Sequence, residues 1–123
     1  MRTHGSLIAL GGLALCSTVA LAHHGWGGNN EQFELTATVV EPVDLAGPHA
    51  TMQVRDADGQ VWDITLAPAA RTSRAGLNAD SLAVGAEVRL RGMRNDDGAR
   101  FEMKTCRVTS GETTWDVYQG NCD

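Results

Sequence analysis

Few residues in this chain have the chemistry of a reactive or ligating site, and the histidines stand out among them. His23 and His24 are adjacent in "ALAHHGWGG", and His49 lies in "AGPHATM". The triplet Ala20-Leu21-Ala22 just before the pair has the small-x-small pattern of a signal-peptidase site. Cleavage after Ala22 makes His23 the first residue, with a free α-amine and an imidazole Nδ1 on one residue. That chelate suits copper(II), which prefers nitrogen ligands in a tetragonal plane and tops the Irving–Williams order. One further imidazole would complete a T-shaped set of three nitrogens, a copper brace. His49 is the expected third donor. His24 is ambiguous, since it can supply the imidazole itself together with its backbone amide and the α-amine. Cleavage after Ala20 would instead put His23 third in the chain, and its imidazole, two deprotonated amides and the amine would form a square-planar copper or nickel site.

Other chemistries find less support. The competing reading of the histidines is ordinary: two solvated residues in an irregular arm and one in a loop. Zinc is disfavoured because no cysteine or carboxylate cluster completes a tetrahedron. Met52 and Met103 fall on expected core faces, leaving Met93 as a weak soft-ligand candidate for copper(I). "DADG" and "NDDG" look like pieces of calcium loops but lack EF-hand spacing and the terminal glutamate, so both are read as tight hairpin turns. Trp26 and Trp115 are read as packing residues rather than a sugar platform. Ser73 and Ser110 lack a G-x-S-x-G context, and no phosphate loop is present.

The segment before the histidines reads as a leader. "MRTHGS" carries one positive charge, and "LIALGGLALCSTVAL" has the length of a signal-peptide apolar region. It is too short and too rich in glycine to span a bilayer comfortably. Cys16 follows Leu15, where a lipobox would want a small residue. The expected organisation is a signal peptide over 1–22, an N-terminal arm over 23–32 and a single domain over 33–123. The expected location is periplasmic or secreted, with no stable membrane insertion after cleavage.

Composition narrows the partners. Ten Lys and Arg against 15 Asp and Glu give a net charge of −5, and loss of Arg2 takes it to −6. Nucleic acid is disfavoured, because neutralising phosphates needs clustered basic residues in excess. Cys106 and Cys122 are the cysteines left after processing, and export favours a disulfide between them over a thiolate metal site.

The remaining sequence is strand-like. In "FELTATVV" residues Phe33, Leu35, Ala37 and Val39 share one face; Ala50, Met52 and Val54 do so in the next segment, and Trp62, Ile64 and Leu66 in the third. Asp56-Ala57-Asp58-Gly59 predicts a hairpin between the second and third. "PAARTSRAGL" predicts a short helix, with Pro68 at its first position and Gly76 as its C-terminal cap. Alternation returns through Ala86, Val88 and Leu90, then in "ARFEMKTCRVT", and "TTWDVY" supplies a last short strand. A helix between the third and fourth strands is the order of an OB-fold. The expected fold is therefore all-β, a small OB-like Greek-key barrel, with a sandwich of another topology as the runner-up.

Taken together, "AHHGW", "PHA", "GQVWDITLAPAARTSRAGL" and "GAEVRLRG" resemble a family of small exported bacterial proteins known only as a domain of unknown function. Its members carry a double histidine after the signal peptide, an Asn-Pro-His motif and a helix with Arg-x-Gly or Arg-Ala-Gly. The resemblance matches His23, His24 and His49 to the family's histidines, and Arg74 and Gly76 to its helix motif. It implies an OB-like barrel and a periplasmic location and supplies no activity. Gly47 stands where the family usually has Asn, and the cysteine pair is not a family feature.

The reading these observations favour is a periplasmic copper(II)-binding protein, for storage, delivery or tolerance, with copper held by His23, His24 and His49 and a periplasmic protein as a further partner. The alternative is a metal-free OB-type module binding a peptide, glycan or partner protein. A redox enzyme built on the same brace ranks third, because no substrate platform or axial aromatic can be assigned.

Overall fold

The computed structural model describes residues 28–120 and 122. Six strands and one helix follow in the order β1 (Glu31–Asp44), β2 (His49–Arg55), β3 (Val61–Pro68), α1 (Ala69–Arg74), β4 (Glu87–Arg94), β5 (Glu102–Ser110) and β6 (Thr113–Asp116). The sheet order is β3-β2-β1-β4-β5-β6, and a parallel pairing of β3 with β5 closes the first five of these strands into a barrel. This is the OB-like barrel expected, with its one helix between β3 and β4.

Period-two alternation builds the core. Leu35, Ala37, Val39, Ala50, Met52, Val54, Trp62, Ile64, Leu66, Val88, Leu90, Met103 and Val108 are all buried. Burying each Val, Leu or Ile is worth about 1.5–3 kcal/mol, so one continuous inward face is enough to select this register over a slip by one residue. β1 serves two partners: its first half pairs with β4 from Glu31 to Thr38, and its second half pairs with β2 from Thr38 to Asp44. Register shifts between Val39 and Asp44 bend the strand and let it pass between the two. β1 begins at Glu31, so the arm expected to run to residue 32 gives up its last two residues to pairing with Arg94 and Met93.

The β2–β3 connection is the hairpin expected. Gly59 adopts φ +85°, and Asp56 receives the Gly59 amide on its backbone carbonyl. The Asp56 carboxylate accepts hydrogen bonds from the Asp58 and Gln60 amides and, 2.9 Å away, from the Trp62 indole. The Trp62 indole first, and then the backbone amides, hold the Asp56 carboxyl below its usual range against the opposing effect of burial. A carboxylate with a depressed folded pKa stabilises the fold above its unfolded pKa, and that stability is lost as pH falls through the folded value. The melting temperatures of the native chain and Asp56→Asn are therefore expected to differ at pH 6, to start converging near about pH 4 and to meet only once pH has fallen through the folded pKa. A constant difference across that range would show that the charge on Asp56 does not matter.

Two sequence expectations are corrected. Pro68 is not the first helical residue. It ends β3 in an extended conformation and acts as the N-cap, without a side-chain hydrogen bond, while the Ala69 amide donates to the Pro48 carbonyl. Gly76, at φ +93°, does end the helix as expected. "NDDG" is not a tight turn either: residues 95–101 separate β4 from β5. Asp96 is engaged elsewhere, its amide donating to the Gly28 carbonyl and its carboxylate accepting from the Asn30 amide and side chain at 2.9 and 2.8 Å. This loop therefore clamps the segment that leads into β1.

Candidate functional site

His49 is the sole histidine among the described residues; His23, His24, Trp26 and the expected signal peptide lie outside them. Alternation in β2 buries Ala50 and turns His49 to the outer surface, where it is half-buried opposite Pro68 of β3. Desolvation lowers its pKa, and the charge of Lys104 lowers it further. Lys104 lies on β5 between Met93 of β4 and Thr65 of β3, and it is buried at 7 % exposure. Burial in turn pulls the Lys104 ammonium below the usual lysine range. Both effects on His49 favour the neutral imidazole, the form that ligates a metal, over the imidazolium. The loop before it is tight: a Cβ on Gly47 would stand 3.3 Å from the His49 carbonyl oxygen.

The described residues contain no group of three or more His, Cys, Asp or Glu able to hold a metal ion. Of the three expected histidine ligands, His49 is the one that lies among the described residues. Met93 faces Gln32 and Lys104 across its two strand pairings, whereas Met52 and Met103 are buried packing residues. Cys106 and Cys122 are joined in a disulfide with their Cα atoms 5.7 Å apart, as expected. The Val117 and Tyr118 amides both donate to the Cys106 carbonyl, so the segment after β6 lies against β5. Tyr118 receives the Arg71 guanidinium on its ring at 5.4 Å, and burial raises its hydroxyl pKa.

Several side chains escaped the sequence reading. Trp62 was expected only as core, yet it stacks on Phe33 at 5.3 Å and meets the edge of Phe101, and the Arg94 guanidinium lies 4.8 Å from its ring centroid. Lys104 beside His49 was also missed, as were three arginines that cross-strand pairing gathers on the outside of β4 and β5. Alternating arginines in "EVRLRG" were the available signal for the latter. Trp115 is a packing residue as expected, with its indole 3.8 Å from where a Cβ on Gly76 would lie.

No curated protein sequence matches the chain. Among solved structures, one chain of the crystal structure of the S. pombe Stn1-Ten1 complex is similar, with a TM-score of 0.51 and 15% identity over 68% of this chain. The match spans 60% of that chain's length, so the likeness is one of fold. The family of unknown function DUF6152 matches residues 11–104, which include β1 to β4, α1, His49 and the Gly47-Pro48-His49 entry to β2. That span is most of the chain, and the chain belongs to this family.

Proposed function

We propose that the processed protein binds copper(II) in the periplasm, for storage, delivery or tolerance. The α-amine and imidazole of His23 supply two nitrogens and His49 the third, with His24 adjoining. The observation that carries this reading is the setting of His49: half-buried, at the mouth of a strand, with its pKa pushed down by burial and by the charge of Lys104. Lys104 acts against any cation there, so His49 alone is too weak a ligand and the chelating amine of His23 becomes a requirement. Reach is also a constraint. Five residues from Gly28 back to His23 span at most about 18 Å, so an ion shared by the two histidines has to lie within that reach of Gly28.

The test is calorimetric titration of copper(II) into chain beginning at His23. One extra residue before His23 is expected to weaken binding at least 100-fold, and His49→Ala at least 10-fold. Equal affinity for the native and extended chains would overturn the reading. Loss on extension with no effect of His49→Ala would remove His49 and leave the ligands to His23 and His24.

A second reading, a metal-free binding module, has one observation of its own. Among the described residues β6 pairs with β5 alone, so its other edge offers backbone groups that an extended peptide could join. The outward side chains of β2 and β3 include Thr51, Gln53, Asp63 and Thr65 and offer no aromatic stacking platform, which favours a peptide over a nucleic acid for such a module.

A further inference from the structure

Four charged residues stand in one cross-strand row on the outside of the barrel. Glu34 of β1 is opposite Arg91 of β4, Arg91 is opposite Arg107 of β5, and Arg107 is opposite Asp116 of β6. Two guanidiniums therefore face each other at the centre. Like charges at directly opposed positions destabilise a sheet unless something neutralises them. The acids at the ends of the row reach Arg107 and Arg89 but not Arg91. Asp116 accepts from Arg107 Nε at 2.5 Å, whereas Glu34 turns diagonally to Arg89, 3.7 Å away. Arg91 is exposed and has no acidic partner among the described residues.

The space around this row is concave. Glu34, Arg89, Arg91, Arg107 and Thr109 line a hollow of about 290 Å³. Glu34 and Arg91 also line a neighbouring hollow of about 320 Å³, which runs past Met93 to the Cys106–Cys122 disulfide. Three guanidiniums converge here on a chain whose net charge is −5, a local inversion of sign.

We infer that this hollow is a binding site for a phosphoryl dianion, a phosphate monoester held by the forks of Arg89, Arg91 and Arg107. A tetrahedral dianion can present three charged oxygens to three guanidiniums and offset the repulsion between Arg91 and Arg107, while a single carboxylate would offset only part of it. The Thr109 hydroxyl at the rim is a further donor. Glu34 and Asp116 flank the arginines on both sides and would repel the neighbouring phosphates of a polyanion, so the site takes one isolated phosphoryl group. The Glu34–Arg89 bridge is exposed at both ends, worth about 0–1 kcal/mol, and yields readily to a better anion. The group can arrive on a small soluble molecule or as the headgroup of a lipid, with the hollow beside Met93 and the disulfide available to the rest of the ligand.

The experiment is a titration followed by amide chemical shifts, on the full chain without added metal and at constant ionic strength. Glycerol 3-phosphate is the soluble probe; vesicles of phosphatidylcholine with phosphatidic acid, against phosphatidylcholine alone, are the lipid probe. Saturable binding of glycerol 3-phosphate below about 10 mM, centred on β4 and β5, is expected. Arg91→Gln should weaken it at least 10-fold, Glu34→Gln should strengthen it several-fold by freeing Arg89, and Arg55→Gln on the β2–β3 hairpin should leave it unchanged. Binding of phosphatidic acid vesicles alone, lost in Arg91→Gln, would support the same chemistry and assign it to a lipid headgroup. No saturable binding of either probe, or binding that Arg91→Gln leaves intact, would overturn the inference.

Discussion

Gly92→Ala is expected to destabilise the barrel by about 3 kcal/mol, the upper end of what overpacking a well-filled site costs. Gly92 sits on β4 at the irregularity where the β4–β5 register shifts, between Arg91 opposite Arg107 and Gly92 opposite Thr105. The shift leaves Cys106 as the extra residue of a bulge and draws the β5 backbone in close. A Cβ on Gly92 would stand 1.9 Å from the Lys104 carbonyl oxygen and 2.9 Å from its carbon. Those are backbone atoms, so no side-chain rotation relieves the clash and β5 itself must move. The same stretch of β5 closes the barrel on β3 through Glu102, Met103 and Lys104, and the displacement would be transmitted to that seam. Gly98 is the control: nothing lies within 4 Å of its added Cβ, and Gly98→Ala should be neutral or slightly stabilising through the unfolded state. Urea unfolding of both variants checks this. A loss under 1 kcal/mol for Gly92→Ala would mean that β5 shifts freely and that the close approach is not required.

Gly92 also marks where the sequence stops being readable. In β1, β2 and β3 the alternation of apolar residues identifies the buried face residue by residue, because a half-exposed strand has no other way to hide one side. Asp56 and Gly59 announce their hairpin because a local positive φ and an Asx turn need only neighbours in sequence. Gly92 in "RLRGMR" looks like any strand glycine until β5 is placed against it. The row Glu34–Arg91–Arg107–Asp116 is invisible for the same reason: its members come from four strands, and one bulge decides which arginine faces which. Likewise "NDDG" has the composition of a tight turn, but Asp96 bonds to Asn30, a residue 66 positions away, and the loop lengthens to suit it.

The candidate ligands divide along the same line. His49 could be placed on the outer face from the buried Ala50, Met52 and Val54 beside it. Its lowered proton affinity could not, because burial, and after it the charge of Lys104 brought in by the β3–β5 closure, come from packing rather than from any spacing in the chain. The sequence thus locates a nitrogen donor, and the fold sets its proton affinity.

Removing the disulfide is expected to have an effect of similar size but a different reach. Cys106 and Cys122 are separated by 16 residues, and closing a loop of that length removes unfolded-state entropy worth about 3 kcal/mol. The loop contains the β5–β6 hairpin, whose register from Ser110–Thr113 to Arg107–Asp116 does not depend on the bond. Apart from the bond, the segment after β6 is held by burial of the Val117 and Tyr118 side chains in the core, by their amides, which share the Cys106 carbonyl as acceptor, and by the Arg71–Tyr118 cation–π contact. In the double variant Cys106→Ala, Cys122→Ala the barrel should stay folded at 25 °C with a lower urea midpoint. Amide exchange should separate two levels: Val117 and Tyr118 losing protection by local release, and β1 to β3 losing only what the global change accounts for. If Val117 and Tyr118 kept the protection of the barrel strands, packing alone would be holding the segment. Uniform loss across all six strands would mean that the segment and barrel unfold as one unit, so that the bond stabilises the whole domain rather than its last turn.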